Sequence, residues 1–131
     1  MIIAIGVDQA EIARMSRAVD HPKWGQRFRR RVFTAAEIAY CESRKRHSES
    51  FAARFAAKEA VMKALGTGMS GVGWCEIEVV REGEEAPVVR LSGAAARRAA
   101  ELGIERWHVA LTHSGDSATA FVVAEGTRHP D

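Results

Sequence analysis

The spacing of apolar residues changes along the chain and predicts an alternation of strands and helices. Residues 2–7 form a continuous apolar run, which is typical of a strand buried on both faces. Apolar positions recur at helical spacing in 11–20, so we expect a helix there. Thr34 and Glu37 have the spacing of a capping box, which predicts the start of another helix.

The longest periodic segment, 48–68, predicts a helix of about five turns. We expect Ser48 or Ser50 to cap its start. Gly66 should end it in the left-handed conformation that glycine adopts easily. One face of this helix is apolar and should be buried, because its residues recur at about 100° per residue. That face consists of Phe51, Phe55, Met62 and Leu65.

A second face of the same helix is small at one end and charged at the other. Ala52 and Ala56 leave room for another segment to lie close to the helix backbone. Glu59 and Lys63 follow, one helical turn apart. This spacing fits an ordinary i, i+4 ion pair on a helix surface, and it also fits two members of a functional site.

The remaining segments predict two hairpins separated by a helix. Residues 75–81 and 88–91 have the pattern of paired strands, and 92–103 is typical of a helix ended by glycine. Residues 107–112 and 118–124 predict the second hairpin. The order of elements therefore predicts an α+β fold, in which a largely antiparallel sheet packs on a long central helix.

Composition and charge indicate one globular domain. The 131 residues are 47% hydrophobic and 27% charged, with a formal net charge of +2, which excludes a disordered chain and a polycation. We expect a single domain over 1–125 and a flexible tail over 126–131. Cys41 and Cys75 lie outside any CxxC spacing, which favours a reducing compartment. Because 2–7 is too short for a signal peptide or a membrane span, we expect a cytoplasmic protein without a membrane partner.

Carboxylates suggest a metal site. Asp8 follows the first predicted strand, where it could cap the next helix or bind a cation. Asp8 and Glu59 could share one Mg²⁺, which prefers oxygen ligands and keeps positions for water and substrate phosphates. Lys63 could then neutralise phosphate charge. The spacing also allows two unrelated acids, so both interpretations stay open.

Histidines and glycines give weaker signals. His113 ends a predicted strand, a frequent place for functional groups, although a histidine there is also often structural. The other histidines lack metal-ligand spacing, so we expect no zinc site; they are His21, His47, His108 and His129. The glycine-rich loop 66–73 lacks the Lys-Ser/Thr of a Walker loop.

Basic residues cluster at 27–31 and 44–46, and Arg14 lies on the first predicted helix. These residues could form a solvated face, a nucleic-acid site or a docking surface for an acidic protein. Trp24 and Phe28 have core-facing spacing rather than that of an exposed stacking platform. An acidic protein partner therefore fits at least as well as nucleic acid.

Together these segments resemble the holo-[acyl-carrier-protein] synthases, the small bacterial 4′-phosphopantetheinyl transferases. The matching motifs are IGVD at 5–8, RVFTAAEIAYC at 31–41, FAARFAAKEAVMKALGTG at 51–68, WCEIEVV at 74–80, PVVRLSG at 87–93 and WHVALTH at 107–113. The resemblance implies a 4′-phosphopantetheinyl transferase-like fold and a role in fatty acid biosynthesis. The implied reaction is the Mg²⁺-dependent transfer of phosphopantetheine from coenzyme A to a serine of apo acyl carrier protein, releasing adenosine 3′,5′-bisphosphate.

The resemblance also implies roles for individual residues. Asp8 and Glu59 would hold the metal, and Lys63 would meet the pyrophosphate. Independently of the resemblance, the serine needs a base: Glu59, or a metal-bound water that it orients, could accept the proton, and His113 is the second candidate. The coenzyme would lie close to Gly66, Thr67 and Gly68. The nucleotide and its 3′-phosphate would be bound by Arg46, Arg54, Lys58 and His113.

The implied partner is an apo acyl carrier protein, whose acidic helix would dock on Arg14, Arg27 and Phe28. The implied assembly is a homotrimer with active sites at subunit interfaces. Two other functions would use the basic residues but would not need a catalytic site. One is a nucleic-acid-binding domain, and the other is a carrier-protein binder that is not an enzyme.

Three positions depart from the family pattern. Gln9 stands where an apolar residue is common, and Ala110 where we expect serine. Segment 82–87 lacks the glycine that usually stands two residues before the proline. The last difference weakens the expectation that this segment contacts a neighbouring subunit's coenzyme.

Overall fold

The computed structural model describes residues 1–68, 70–81 and 84–127. The elements follow the predicted order: β1 (Ile2–Glu11), α1 (Ile12–Val19), α2 (Gly25–Val32), α3 (Ala35–Glu42), α4 (His47–Leu65), a 3-10 turn (Trp74–Glu76), β2 (Ile77–Val80), β3 (Val88–Leu91), α5 (Gly93–Leu102), β4 (Ile104–Ser114) and β5 (Ser117–Gly126). The predicted α+β class is confirmed.

The strands form two antiparallel sheets, as the alternating segments predict. The larger sheet has the order β1-β5-β4, and β2 pairs with β3 in a separate hairpin. Asp8 on β1 lies opposite Ala120 of β5. His113 on β4 lies opposite Ala118, two residues along β5 from Ala120, and it lies on the other edge strand of the same sheet.

The long helix α4 packs across one face of the larger sheet. Ala52, Ala56 and Ala60 have no exposed surface. A Cβ atom at Gly6 of β1 would lie 2.1 Å from the carbonyl oxygen of Ala60, so only glycine fits there. The expected close approach along the alanine face is confirmed. It brings the segment around Asp8 against the segment around Glu59.

The expectation that β1 is buried on both faces is wrong. Ile5 is 70% exposed and Val7 is 47% exposed. The helix α4 covers only one side of the sheet, and Ile5, Val7 and Phe121 of β5 point to the other side. The strand also continues through Asp8 to Glu11, so Asp8 is a strand residue and not a helix cap.

Two smaller predictions also fail. The helix α4 begins at His47 with Arg46 at the N-cap position and no side-chain cap, so neither Ser48 nor Ser50 caps it. Trp24 precedes α2 and is 48% exposed rather than part of the core. The left-handed end of α4 at Gly66, with φ of 73°, is confirmed.

The predicted capping box at the start of α3 is confirmed, and it belongs to a larger buried network. Glu37 is 1% exposed and accepts hydrogen bonds from the backbone N–H groups of Thr34 and Val79. Lys58 of α4, with no exposed surface, places its Nζ atom 2.7 Å from Glu37 Oε1. It also donates to the carbonyl groups of Trp74 and Ile77. This ion pair joins α3, α4 and β2.

The predicted C-terminal tail is described only in part. The backbone N–H of Gly126 donates to the carbonyl of Met1, and Thr127 donates to the carbonyl of Gly103. Residues 128–131 lie outside the described residues, so the tail and the domain boundary at residue 125 stay predictions. Within the described part of the chain, no helix combines the length and the apolar character needed to cross a membrane.

Candidate functional site

Two carboxyl groups meet where β1 crosses α4. Asp8 comes from the strand and Glu59 from the helix, next to the close contact between Gly6 and Ala60. Burial raises the pKa of Glu59 from 4.5 to about 7, and the charge of Asp8 and a hydrogen bond with its side chain add to this effect. The folded chain therefore holds two acids so close together that a positive charge between them would be favourable.

Lys63 lies beside this pair. Its Nζ atom is 3.5 Å from Asp8 Oδ1 and donates a hydrogen bond of 3.2 Å to the carbonyl of Val7. It therefore reaches across to β1, away from the i, i+4 contact along its own helix. The structure thus brings Asp8, Glu59 and Lys63 together, and the Lys63 side chain stays 58% exposed and accessible to a ligand.

The carboxyl pair fits a hard divalent cation. Mg²⁺ takes oxygen ligands and is often held by one or two carboxylates together with water and substrate phosphates. The described residues contain no group of three or more histidine, cysteine or acidic side chains that could hold a metal. The protein would thus supply two carboxylates at most from this group, which leaves the remaining positions for a phosphate ligand and water.

A groove of about 660 Å³ opens beside Glu59. Arg14, Met15 and Ala18 of α1 form one side of it, and Phe28 and Phe55 add apolar surface. Two of the residues expected to dock a protein partner, Arg14 and Phe28, therefore share a groove with Glu59. The third, Arg27, does not line it; its guanidinium lies 5.5 Å from the centre of the exposed Trp24 ring.

The basic helix α2 has fewer arginine side chains available for binding a partner than its sequence suggests. Arg29 is buried and donates to the carbonyl of Val19 and to the carboxylates of Asp20 and Glu42. It therefore ties α1, α2 and α3 together and contributes little to a binding surface. This arrangement weakens the interpretation of 27–31 as a continuous basic face for nucleic acid.

A second cavity of about 430 Å³ is strongly basic. Arg54 is 3% exposed, and within the described residues its Nε and Nη2 atoms have no hydrogen-bond partner. The cavity brings together most of the residues expected to bind a nucleotide. Its charged and hydrogen-bonding side chains are Tyr40, Arg44, Lys45, Arg46, Glu49, Ser50, Arg54, Arg81, Thr112 and His113.

Several expected site residues lie away from both cavities. Lys58 is enclosed in the core, and its ammonium group is already bound by Glu37 and two carbonyl groups. That position does not fit the expected contact with a nucleotide. Gly66 and Gly68 have positive φ and form the turn after α4, and Thr67 lies between them. Met69, which follows, lies outside the described residues.

His113 belongs to the basic cavity and not to the groove beside Glu59. Its Nε2 atom is 3.9 Å from Glu49 Oε2, and its side chain is 59% exposed. It is therefore separated from the carboxyl pair within one copy of the chain. This placement favours Glu59 over His113 as the group nearest to a hydroxyl in the groove.

The sequence does not identify Tyr40, Arg81 and Phe55 as candidate site residues, although the structure places them in the cavity linings. Tyr40 and Arg81 line the basic cavity, and Phe55 lines the groove while its ring stacks on Trp74 with centroids 4.9 Å apart. A signal existed for Tyr40, which precedes the basic run 44–46 by about one helical turn. Arg81 directly follows the short strand β2, and nothing in its spacing connects it with residues some thirty positions earlier.

Neither cysteine is a candidate nucleophile. Burial raises the pKa of the Cys41 thiol to about 12, and burial also raises the pKa of Cys75. The Cys41 thiol therefore stays protonated and unreactive at neutral pH, while Cys75, which is exposed, lines neither the groove beside Glu59 nor the basic cavity. The chemistry of the site therefore depends on its oxygen and nitrogen groups.

Known proteins resemble this chain in sequence and in structure over almost its whole length. A family model described as the 4′-phosphopantetheinyl transferase superfamily matches residues 4–122. The holo-[acyl-carrier-protein] synthase of Herpetosiphon aurantiacus is 50% identical over 132 residues, covering 95% of this chain and 100% of the relative. A crystal structure of the Neisseria meningitidis synthase has a TM-score of 0.83 at 33% identity and covers 95% of this chain and 99% of that chain. The Helicobacter pylori synthase in complex with coenzyme A has a TM-score of 0.79 at 29% identity, with coverages of 92% and 99%.

Proposed function

The chain belongs to the 4′-phosphopantetheinyl transferase superfamily as a holo-[acyl-carrier-protein] synthase, and from this membership we propose that it transfers the 4′-phosphopantetheine of coenzyme A to a serine of apo acyl carrier protein. The other product is adenosine 3′,5′-bisphosphate. The observation that carries the proposal is the pair of carboxyl groups of Asp8 and Glu59 with Lys63 beside it. These three side chains suit the binding of a pyrophosphate together with a divalent cation. They also adjoin the groove on which a protein partner could dock.

The reaction breaks the phosphoanhydride bond of the coenzyme A pyrophosphate and forms a phosphate ester with the serine. The serine oxygen forms a bond to the phosphorus on the pantetheine side, while the bond from that phosphorus to the bridging oxygen breaks. The bridging oxygen leaves with its electron pair on adenosine 3′,5′-bisphosphate. Negative charge gathers on the non-bridging and leaving oxygens, where Lys63 stabilises it. A Mg²⁺ held by Asp8 and Glu59 would supply further neutralisation of the pyrophosphate.

The serine proton needs an acceptor. Glu59 lines the groove beside Arg14 and Phe28, so a serine delivered by a docked carrier comes close to its carboxylate. His113 lines the other cavity, which makes it the weaker candidate. We therefore assign the proton transfer to Glu59, directly or through a water molecule that it orients.

The basic cavity would bind the nucleotide half of coenzyme A. Arg54 and Arg46 place positive charge and N–H donors in this cavity, and His113 adds an imidazole ring. The unused donors of the buried Arg54 guanidinium support a phosphate ligand, because Arg binds phosphate through two parallel hydrogen bonds. The 3′-phosphate of coenzyme A is the group proposed to meet them.

The assembly proposed for this chain is a homotrimer with active sites between subunits. Among the residues that the structure describes, the groove beside Glu59 and the basic cavity have no lining residue in common. In the proposed assembly, the groove of one copy and the basic cavity of a second copy would together form one active site. An apolar sheet face supports self-association, because Ile5, Val7 and Phe121 are all exposed in one copy.

Phe121→Asp should prevent this assembly, since a charge in the centre of an apolar interface is unfavourable. Val88→Asp is the matched control, because Val88 on β3 is also 52% exposed but lies outside this face. Sedimentation velocity should show the wild type and Val88→Asp as oligomers, and Phe121→Asp as a monomer with little activity. An unchanged sedimentation coefficient for Phe121→Asp would exclude this face as the interface.

Arg14→Glu should raise the KM for acyl carrier protein by about tenfold, because it reverses a charge that faces an acidic partner. The KM for coenzyme A should stay the same. Arg17→Glu is the control on the same helix, since Arg17 is exposed but does not line the groove. Equal increases in both KM values, or equal effects of the two variants, would contradict docking at Arg14.

A product assay tests the proposed reaction. Adenosine 3′,5′-bisphosphate should appear only when coenzyme A, apo carrier protein and Mg²⁺ are all present, and the rate should follow the carrier concentration. Release without carrier would indicate hydrolysis of coenzyme A instead of transfer.

We propose that the enzyme works in the cytoplasm and supplies carriers for fatty acid biosynthesis.

A further inference from the structure

The buried arginine of the basic cavity is not held in place by its hydrogen bonds. Arg54 is 3% exposed, and within the described part of the chain its Nε and Nη2 atoms lack partners. Its Nη1 atom donates to the carbonyl of Ser50 at 3.4 Å, which is long for such a bond. Since unpaired buried donors are unfavourable, another contact must stabilise the guanidinium in this position.

That contact is the ring of Tyr40. The Cζ atom of Arg54 lies 4.4 Å from the ring centroid. A cation–π contact of this kind attracts the charge of the guanidinium without occupying its N–H groups. The same ring also lies 5.7 Å from the Cζ atom of Arg44. One aromatic side chain thus holds two guanidinium groups that both line the basic cavity.

The acidic residue of the cavity does not replace this contact. Glu49 is 3.4 Å from the guanidinium of Arg46 and 3.9 Å from the imidazole of His113. Among the ion pairs of the described residues, it pairs with neither Arg54 nor Arg44. Glu49 therefore neutralises neither of these arginines, and within the described residues the Nε and Nη2 donors of Arg54 stay available for a ligand.

We propose that Tyr40 is a positioning residue that orients Arg54 and Arg44 for the 3′-phosphate of coenzyme A. The inference rests on the proposed function, which identifies coenzyme A as the ligand of this cavity. Because the ring already holds two like charges together, the ligand does not have to order them on binding. The free guanidinium donors can then bind phosphate oxygens in a bidentate geometry. Tyr40 thereby sets selectivity for nucleotides that carry a 3′-phosphate.

Nucleotide binding to the intact oligomer tests this role without requiring catalysis. Calorimetry with adenosine 3′,5′-bisphosphate and with adenosine 5′-monophosphate separates the contribution of the 3′-phosphate from that of the rest of the nucleotide. The wild type should bind the bisphosphate more tightly. Tyr40→Leu should weaken the bisphosphate about 10- to 30-fold and the monophosphate by less than about twofold, since it removes a largely desolvated cation–π contact.

Two further variants separate positioning from folding. Tyr40→Phe keeps the ring and should retain the wild-type affinities, because the hydroxyl group is not part of the contact. Tyr40→Met keeps an apolar side chain without the ring and should behave like Tyr40→Leu, so that a folded variant lacking the ring is available if leucine destabilises the core. In an Arg54→Gln background, Tyr40→Leu should weaken the bisphosphate less than it does in the wild-type background, because only the contact of the ring with Arg44 is then left to lose.

The outcomes are distinguishable. Equal weakening of both nucleotides by Tyr40→Leu, or wild-type selectivity in both ring-free variants, would overturn the positioning role. A wild type that does not prefer the bisphosphate would overturn the 3′-phosphate site itself. A wild type that prefers it, with the expected Tyr40 effects, but transfers nothing to any carrier would support the inference while refuting the proposed reaction.

Discussion

Glu59→Gln is expected to lower kcat for phosphopantetheine transfer by about 10²- to 10³-fold, comparable to the loss of one electrostatic contact at a reacting centre. The glutamine keeps the shape of the side chain but removes a negative charge from the cation site and a proton acceptor from the groove. Because burial and Asp8 raise the pKa of Glu59, its ionised form is unfavourable in the folded protein. The substitution should therefore leave the thermal midpoint unchanged or slightly raise it.

Glu11→Gln is the matched control for this variant. Glu11 lines the same groove and undergoes the same chemical change, but it does not belong to the carboxyl pair. Its kcat should remain within about twofold of wild type, as expected for a surface charge. A Glu59→Gln enzyme that turns over at a near-normal rate in saturating Mg²⁺ would contradict both roles assigned to Glu59.

Glu37→Ala is expected to destabilise the fold by about 3–5 kcal/mol, because it leaves the ammonium group of Lys58 buried without its counter-ion. It also removes the acceptor for the backbone N–H groups of Thr34 and Val79. Urea denaturation at matched protein concentration measures the effect. The contacts that join α3, α4 and β2 depend on this carboxylate, so the loss should be global and not confined to one helix.

Glu101→Ala removes an ion pair of a different kind and serves as the control. Glu101 Oε2 lies 3.5 Å from Arg98, with a side chain that is 67% exposed, so the cost should stay below about 1 kcal/mol. Glu37→Leu combined with Lys58→Met should recover much of the stability, since apolar residues can replace a buried pair. A cost for Glu37→Ala as small as that for Glu101→Ala would show that the pair does not stabilise the fold.

Local signals in the sequence are sufficient to predict most of the helices and strands. The capping box at Thr34 and the glycine end of α4 involve residues within a few positions of each other, where sequence and conformation are directly linked. The apolar run predicts the strand at 2–7, but the expected burial of both its faces is wrong. An apolar run looks the same whether a helix or a second copy of the chain covers its outer face.

The candidate site depended on contacts between distant segments. The alanines of α4 indicated a close neighbour, yet the spacing could not identify β1 as that neighbour or bring Asp8 to Glu59. The resemblance implies a contact between Lys58 and the nucleotide. One residue along a helix is about 100° of rotation, which turns Lys58 into the core towards Glu37.

The central claim is that Asp8 and Glu59 support transfer of phosphopantetheine to a carrier protein, and intact mass spectrometry of the carrier tests it most directly. Purified apo acyl carrier protein is incubated with this enzyme, coenzyme A and Mg²⁺, in parallel with EDTA and with the Asp8→Ala enzyme. The proposal predicts a mass gain equal to one phosphopantetheine with the wild type and Mg²⁺, and no gain in the two controls. An unmodified carrier in the presence of folded, oligomeric wild-type enzyme, or an equal gain with Asp8→Ala, would contradict it.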